Sequence, residues 1–167
     1  MKQNFISAFI LLATLLLANA APHQLDKRTT SFGACPTDPP VTLLIVNNIS
    51  PDPFVKGKSV DVTFSGKLTI DIPNNQDTIL QVPFLDSNQI PVDDPFTVNF
   101  CEISGIKCPL LAGTEFSAKV TVPVPDVDDT SMAVAIIDVP QNVFIACAWS
   151  GPSSPLSVNN DSTNFFL

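Results

Sequence analysis

From residue 60 to residue 72 every even position is apolar or glycine: Val60, Val62, Phe64, Gly66, Leu68, Ile70 and Ile72. The odd positions, Ser59, Asp61, Thr63, Ser65, Lys67, Thr69 and Asp71, are all polar. Successive side chains of a strand point to opposite faces, so this period of two predicts a half-buried strand, or two strands in continuous register. Phe116, Ala118, Val120, Val122 and Val124 repeat the pattern, and Phe96, Val98 and Phe100 repeat it more briefly. Residues 41–46, 79–85, 132–139 and 143–149 form further β-branched or apolar runs. Those that are apolar on both faces read as central strands. Pro51-Asp-Pro53, Pro73-Asn-Asn75 and Pro123-Val-Pro125 punctuate the runs, as prolines do between strands. Seven or eight strands at this spacing predict an all-β chain folded as a β-sandwich. No internal repeat is present.

The amino-terminal segment is read as a leader. Lys2 supplies a positive charge, residues 5–18 are apolar but short for a membrane span, and Ala18-Asn19-Ala20 has the small-x-small form of a cleavage site. Residues 1–20 are therefore expected to be a signal peptide. Lys27-Arg28 resembles a processing site that would release residues 21–28 as a pro-segment. The plainer reading is an exposed charge pair. With both cuts, 139 of the 167 residues remain, enough for one domain, expected over residues 29–150, with a Ser-, Asn- and Pro-rich tail over 151–167. Losing Lys2, Lys27 and Arg28 leaves five of eight bases, and losing Asp26 leaves fifteen of sixteen acids, a net charge of −10. Such a chain is repelled by nucleic acid and by anionic membrane surfaces.

Candidate chemistry is sparse. The single histidine, His23, lies in the pro-segment, and there is no tyrosine. A mature chain without histidine has no Ser-His-Asp or Cys-His relay, no histidine metal site and no histidine pH switch. Asp93-Asp94 and Asp128-Asp129 are adjacent acids, but both sit in Pro-rich polar linkers where acids are solvated. The expectation is neither an enzyme nor a metal- or cofactor-binding protein.

The four cysteines imply two disulfides in a secretory context. Three pairings are possible. Cys101 and Cys108 are close, with Ser104-Gly105 between them to allow a turn, and pairing them leaves Cys35 for Cys147. Asn48-Ile-Ser50 and Asn160-Asp-Ser162 are glycosylation sequons.

Three segments carry a family likeness. They are Ser31-Phe-Gly-Ala-Cys35, Lys56-Gly-Lys-Ser-Val-Asp-Val-Thr-Phe64 and the hairpin Cys101-Glu-Ile-Ser-Gly-Ile-Lys-Cys-Pro-Leu110, with Cys147 in the last strand. Together they resemble the ML lipid-recognition domains, with the fungal phosphatidylglycerol/phosphatidylinositol transfer branch the nearest in pattern and the Niemann–Pick type C soluble sterol carrier a relation. The hairpin has one residue more than the family's Cys-x-Ser-Gly-Ile-x-Cys-Pro form, and a second short-range cysteine pair found in some members is absent. The resemblance implies an immunoglobulin-like sandwich whose sheets part to admit a lipid, with Val62, Phe64, Phe100, Val120 and Phe144 facing the cavity and Pro109 and Leu110 at its rim. It implies a monomeric secreted or luminal carrier of a phospholipid or sterol, making brief membrane contacts, at the cell exterior or in a vacuolar or lysosomal lumen. Each of the named residues would serve a filled sandwich equally well. The second reading is therefore a packed structural, adhesion or effector module.

Overall fold

The computed structural model describes residues 29–128 and 130–151. The expected signal peptide, pro-segment and tail, together with His23, Asp129 and Asn160, lie outside the described residues. Among the described residues there are nine strands: β1 Thr42–Leu43, β2 Ile45–Ser50, β3 Ser59–Lys67, β4 Thr78–Val82, β5 Phe84–Leu85, β6 Phe96–Asn99, β7 Glu115–Pro123, β8 Ser131–Asp138 and β9 Val143–Trp149. They form two sheets. The larger has the order β1-β9-β8-β4-β6, with β5 paired to β8, and the smaller has the order β2-β3-β7. All the pairings are antiparallel except β1 with β9. The expected all-β sandwich is what the chain forms, and two of its nine strands are only two residues long.

The apolar alternation decides how the small sheet faces. β3 and β7 pair from Ser59↔Pro123 to Lys67↔Glu115 without a slip. Val60, Val62, Phe64, Phe116, Ala118, Val120 and Val122 consequently fall on one face and are buried. The opposite face carries Asp61, Lys119 and Thr121, where the Lys119 ammonium and the Thr121 hydroxyl both meet the Asp61 carboxylate at 2.7 Å.

Chain breaks follow the local chemistry. The run over 41–46 divides at Leu44, which is buried while the chain passes from the large sheet to the small one. Proline lacks an N–H for the ladder, and Pro83 separates β4 from β5. The long alternating run also outlasts its strand. β3 stops at Lys67, Ile70 is exposed, and Ile72 returns to the core by pairing with Leu110.

Both disulfides have the expected partners. Cys35–Cys147 closes 112 residues and Cys101–Cys108 closes 7. By loop entropy these constrain the unfolded chain by roughly 4–5 and 2–3 kcal/mol.

Candidate functional site

β6 ends the large sheet and β7 ends the small one, and Phe96 of the first and Pro123 of the second line one cleft. Among the described residues no strand pairing joins them. Their contact is made by apolar side chains. Phe96, Val98 and Phe100 come from the β6 side and Phe116, Ala118, Val120, Val122 and Val124 from β7 and its extension, all within one inter-sheet core. Parting the sheets at this seam breaks side-chain contacts and no ladder hydrogen bonds.

The two ends of the seam differ. One is closed by the hairpin between β6 and β7. There Phe100 meets Phe116 edge-on with ring centres 5.5 Å apart, and Phe116 meets Phe64 at 6.3 Å. Ile72 and Leu110 exchange both backbone hydrogen bonds, at 2.8 and 2.9 Å. Gly105 presses on β7 so closely that a Cβ there would overlap the Ser117 carbonyl oxygen. The Ser104 carbonyl accepts the Lys119 N–H from the same edge at 3.4 Å.

The other end opens into a cleft of about 100 Å³. Its walls are Phe84, Phe96, Pro123, Val124 and Pro125, with Asp93 and Asp94 at the lip. Phe54 approaches from the loop after β2 and stacks edge-on against Phe84 at 5.6 Å. That loop is tied to the loop after β7, because Gly57 N–H donates to the Val124 carbonyl and the Val124 N–H donates to the Lys58 carbonyl. The Lys56 ammonium also meets Asp128 at 2.7 Å, which raises the lysine pKa through that hydrogen bond first and through the charge of Asp128 second. Three loops at this end carry exposed aliphatic side chains: Val55, Ile90 and Val127.

Of the residues singled out from sequence, Val62, Phe64, Phe100, Leu110 and Val120 meet in the inter-sheet core. Val62, Phe64 and Phe100 are fully buried, whereas Val120 keeps 8% of its surface. The expected rim divides, since Pro109 is exposed and Leu110 is buried. Phe144 lies elsewhere. It packs with Ala135, Ile137 and Cys147 on the outer face of the large sheet. The cause is a bulge in β9. Ile136 pairs with Ala146 but Ile137 pairs with Phe144, leaving Ile145 as the extra residue. Such a residue reverses the facing of everything beyond it.

Phe54, Phe84, Phe96 and Val124 were not singled out as site residues. Their apolar character was legible in the sequence, but the edge positions that bring them together were not. Asn48 is exposed on β2. Asp93 and Asp94 are exposed, and the Asp94 N–H is held by the Asp93 carboxylate at 2.8 Å. Among the described residues no group of three or more histidines, cysteines, aspartates or glutamates is placed to hold a metal ion.

The family model described as "ML domain" matches residues 29–147. Comparison with curated proteins found no match. Among solved structures the chain is similar to chicken MD-1, in a crystal structure of its complex with lipid IVa, at 13% identity and a TM-score of 0.46. The match covers 71% of this chain and 83% of that one.

Proposed function

The chain belongs to the ML domain family, and from that premise we propose that it is a non-catalytic lipid-binding protein that takes its ligand between the sheets through the β6–β7 seam. The observation that carries this reading is the seam itself, apolar on both lips and unpaired by backbone, running from the cleft at Phe96 and Val124 to Phe100 and Phe116. Opening it costs side-chain contacts that an acyl chain or sterol replaces in kind.

The finer reading is intermembrane transfer of a phospholipid, such as phosphatidylglycerol or phosphatidylinositol, or of a sterol. Each methylene taken from water is worth about 0.8 kcal/mol, so a two-chain lipid drawn from water would bind beyond any observed affinity. A bilayer donor is as apolar as the protein interior, and uptake and release then nearly balance. Val55, Ile90 and Val127 form an apolar set of loop tips for membrane contact, and the neighbouring acids Asp93, Asp94, Asp126 and Asp128 keep that contact short. Two disulfides favour an oxidising lumen or the cell exterior.

The test is organic extraction of the purified protein followed by mass spectrometry, with vesicle-to-vesicle transfer of a fluorescent phospholipid and a fluorescent sterol. Recovery of stoichiometric lipid and transfer of either probe is the expected result. An empty extract with no transfer would assign the sandwich to the filled structural class, which the complete burial of Val62, Phe64 and Phe100 also suits.

A further inference from the structure

The cleft beside Phe96 brings two carboxylates over aromatic walls. Phe96 stands opposite Val82 in the β4–β6 ladder, and Phe84 follows Val82 after Pro83, so the large sheet supplies both rings. The Val92 N–H donates to the Phe84 carbonyl at 3.0 Å, which sets Asp93 next to that wall. The Asp93 carboxylate in turn accepts the Asp94 N–H at 2.8 Å. Pro123, Val124 and Pro125 complete the lining from the small sheet. They are fixed where the Val124 N–H donates to the Lys58 carbonyl at 2.7 Å.

This lining is chemically selective. Phenylalanine, proline and valine side chains accept no hydrogen bond, and the charged residues among those lining the cleft are Asp93 and Asp94, with no lysine or arginine. Lys56, on the neighbouring loop, is paired with Asp128 at 2.7 Å. Solvated acids alone recognise nothing in particular. Acids beside phenylalanine rings are different, because the ring attracts a cation through its π-face and the carboxylate attracts it through charge. A primary ammonium brings three N–H donors, which the wall side chains leave unmet except at the lip. A quaternary ammonium brings none, and its methyl groups pack against Phe84, Phe96 and the prolines. Size agrees. An apolar cavity of about 150 Å³ takes the six carbons of benzene. A cleft of about 100 Å³ then takes about four non-hydrogen atoms, as many as a trimethylammonium group has.

We propose that the cleft is a headgroup subsite for a quaternary ammonium, so that the lipid this protein prefers is a choline-type zwitterion. The preference among lipids rests on the lipid-binding reading above, whereas the affinity of the cleft for the ammonium does not. The two-carbon spacer of a choline ester leaves its phosphate outside the acidic lip, with the acyl chains in the seam beyond Phe96. Phosphatidylglycerol and phosphatidylinositol bring a phosphate with no cation to offset it, and the lip disfavours them. Rings and carboxylates together favour the choline headgroup over glycerol by about ten- to thirtyfold.

Two measurements on the full chain separate these parts. In the first, fluorescent phospholipids with identical acyl chains and choline, ethanolamine or glycerol headgroups are titrated into the unaltered protein and into D93N/D94N, after melting curves confirm equal stability. The expected result is a choline lipid bound about tenfold or more tighter than the glycerol lipid, and tighter than the ethanolamine lipid, with the preference lost in D93N/D94N. An ethanolamine or glycerol lipid bound as tightly as the choline lipid overturns the proposal and leaves the lipid-binding reading standing, and so does a preference that survives D93N/D94N. In the second, tetramethylammonium chloride is titrated into lipid-free protein and followed by backbone amide NMR, with sodium chloride as the control. Saturable shifts at Phe84, Phe96 and Val124 are expected, and shifts no larger than those with sodium overturn the subsite. If no lipid binds in the first measurement, the lipid-binding reading falls and the lipid preference with it. The saturable shifts alone then decide whether the cleft takes a free quaternary ammonium compound.

Discussion

Gly105 lies against the carbonyl of Ser117, in a backbone conformation with φ of +100° that side chains disfavour. The hairpin bridged by Cys101 and Cys108 thus rests on the edge of β7 with no room for even one methyl group. The requirement explains the glycine of the Ser-Gly-Ile motif by contact with a neighbouring strand as well as by turn geometry.

Gly105→Ala should therefore destabilise the fold by about 2–4 kcal/mol, combining the strained φ with a backbone collision. Gly33 is the control, since a Cβ there meets nothing within 4 Å, and Gly33→Ala should stay within about 0.5 kcal/mol. Urea melts followed by Trp149, the single tryptophan, give both values. Its ring is 4% exposed and its N–H donates to the Ser131 hydroxyl at 3.2 Å, so unfolding changes its surroundings. Equal stability of the two variants would show that the hairpin lifts from β7 at little cost.

Much of the fold was legible because burial on one face writes itself into the chain with a period of two. The facing of Val60, Val62, Phe64, Phe116, Ala118, Val120 and Val122 follows directly from that period. What escaped were places where geometry breaks it. One extra residue at Ile145 turned Phe144 to the outer sheet face. Ile70 kept the alternation beyond the end of β3 but is 45% exposed. The cleft was hidden for a different reason. It depends on β6 and β7 both being edges, a property of sheet order that local pattern does not encode.

The two disulfides should separate by loop length. Cys35→Ser with Cys147→Ser releases a 112-residue separation and should cost roughly 4–5 kcal/mol, whereas Cys101→Ser with Cys108→Ser releases 7 and should cost about 2–3. The ordering is the robust part and is read from the midpoints of urea melts. If the hairpin pair proved the more costly, packing of the hairpin on Ser117 and Phe116 would outweigh chain entropy.

Acid should act through carboxylates. Hydrogen bonds from Lys119 and then Thr121 hold Asp61 below the ordinary aspartate value, and the backbone N–H of Ile90 followed by that of Asn88 does the same for Asp86. A group whose folded pKa is depressed adds stability that is fully present above its unfolded value, here 3.8. That stability is lost as pH falls through the lower folded value. Both groups are solvent-exposed, so salt should weaken the effect. Melting temperature should be flat between about pH 5.5 and 7.5 and decline below about pH 4. Asp61→Asn should flatten part of that decline. A steep change centred near pH 6.5 would require a histidine, and the sole candidate, His23, precedes the domain.

Val120 tests whether the interior can open. It sits mid-strand on β7, opposite Val62, with 8% of its surface accessible beside the unpaired seam. In a permanently filled sandwich, Val120→Trp overpacks the core and costs about 1–3 kcal/mol, a fall of roughly 3–9 °C for a domain of this size. In a sandwich that parts at β6 and β7, the indole enters the space a lipid would take. The carrier reading therefore expects near-normal melting together with at least a tenfold loss of fluorescent-lipid binding. Strong destabilisation would place Val120 in fixed packing against Val62. Normal melting with normal binding would put the ligand away from Val120 and nearer the cleft, where Phe96→Ala then becomes the informative substitution. Phe96 is only half-buried and lines the cleft, so its removal should cost less stability than that of the fully buried Phe100. Lipid binding should still fall, because a contact at the portal is lost.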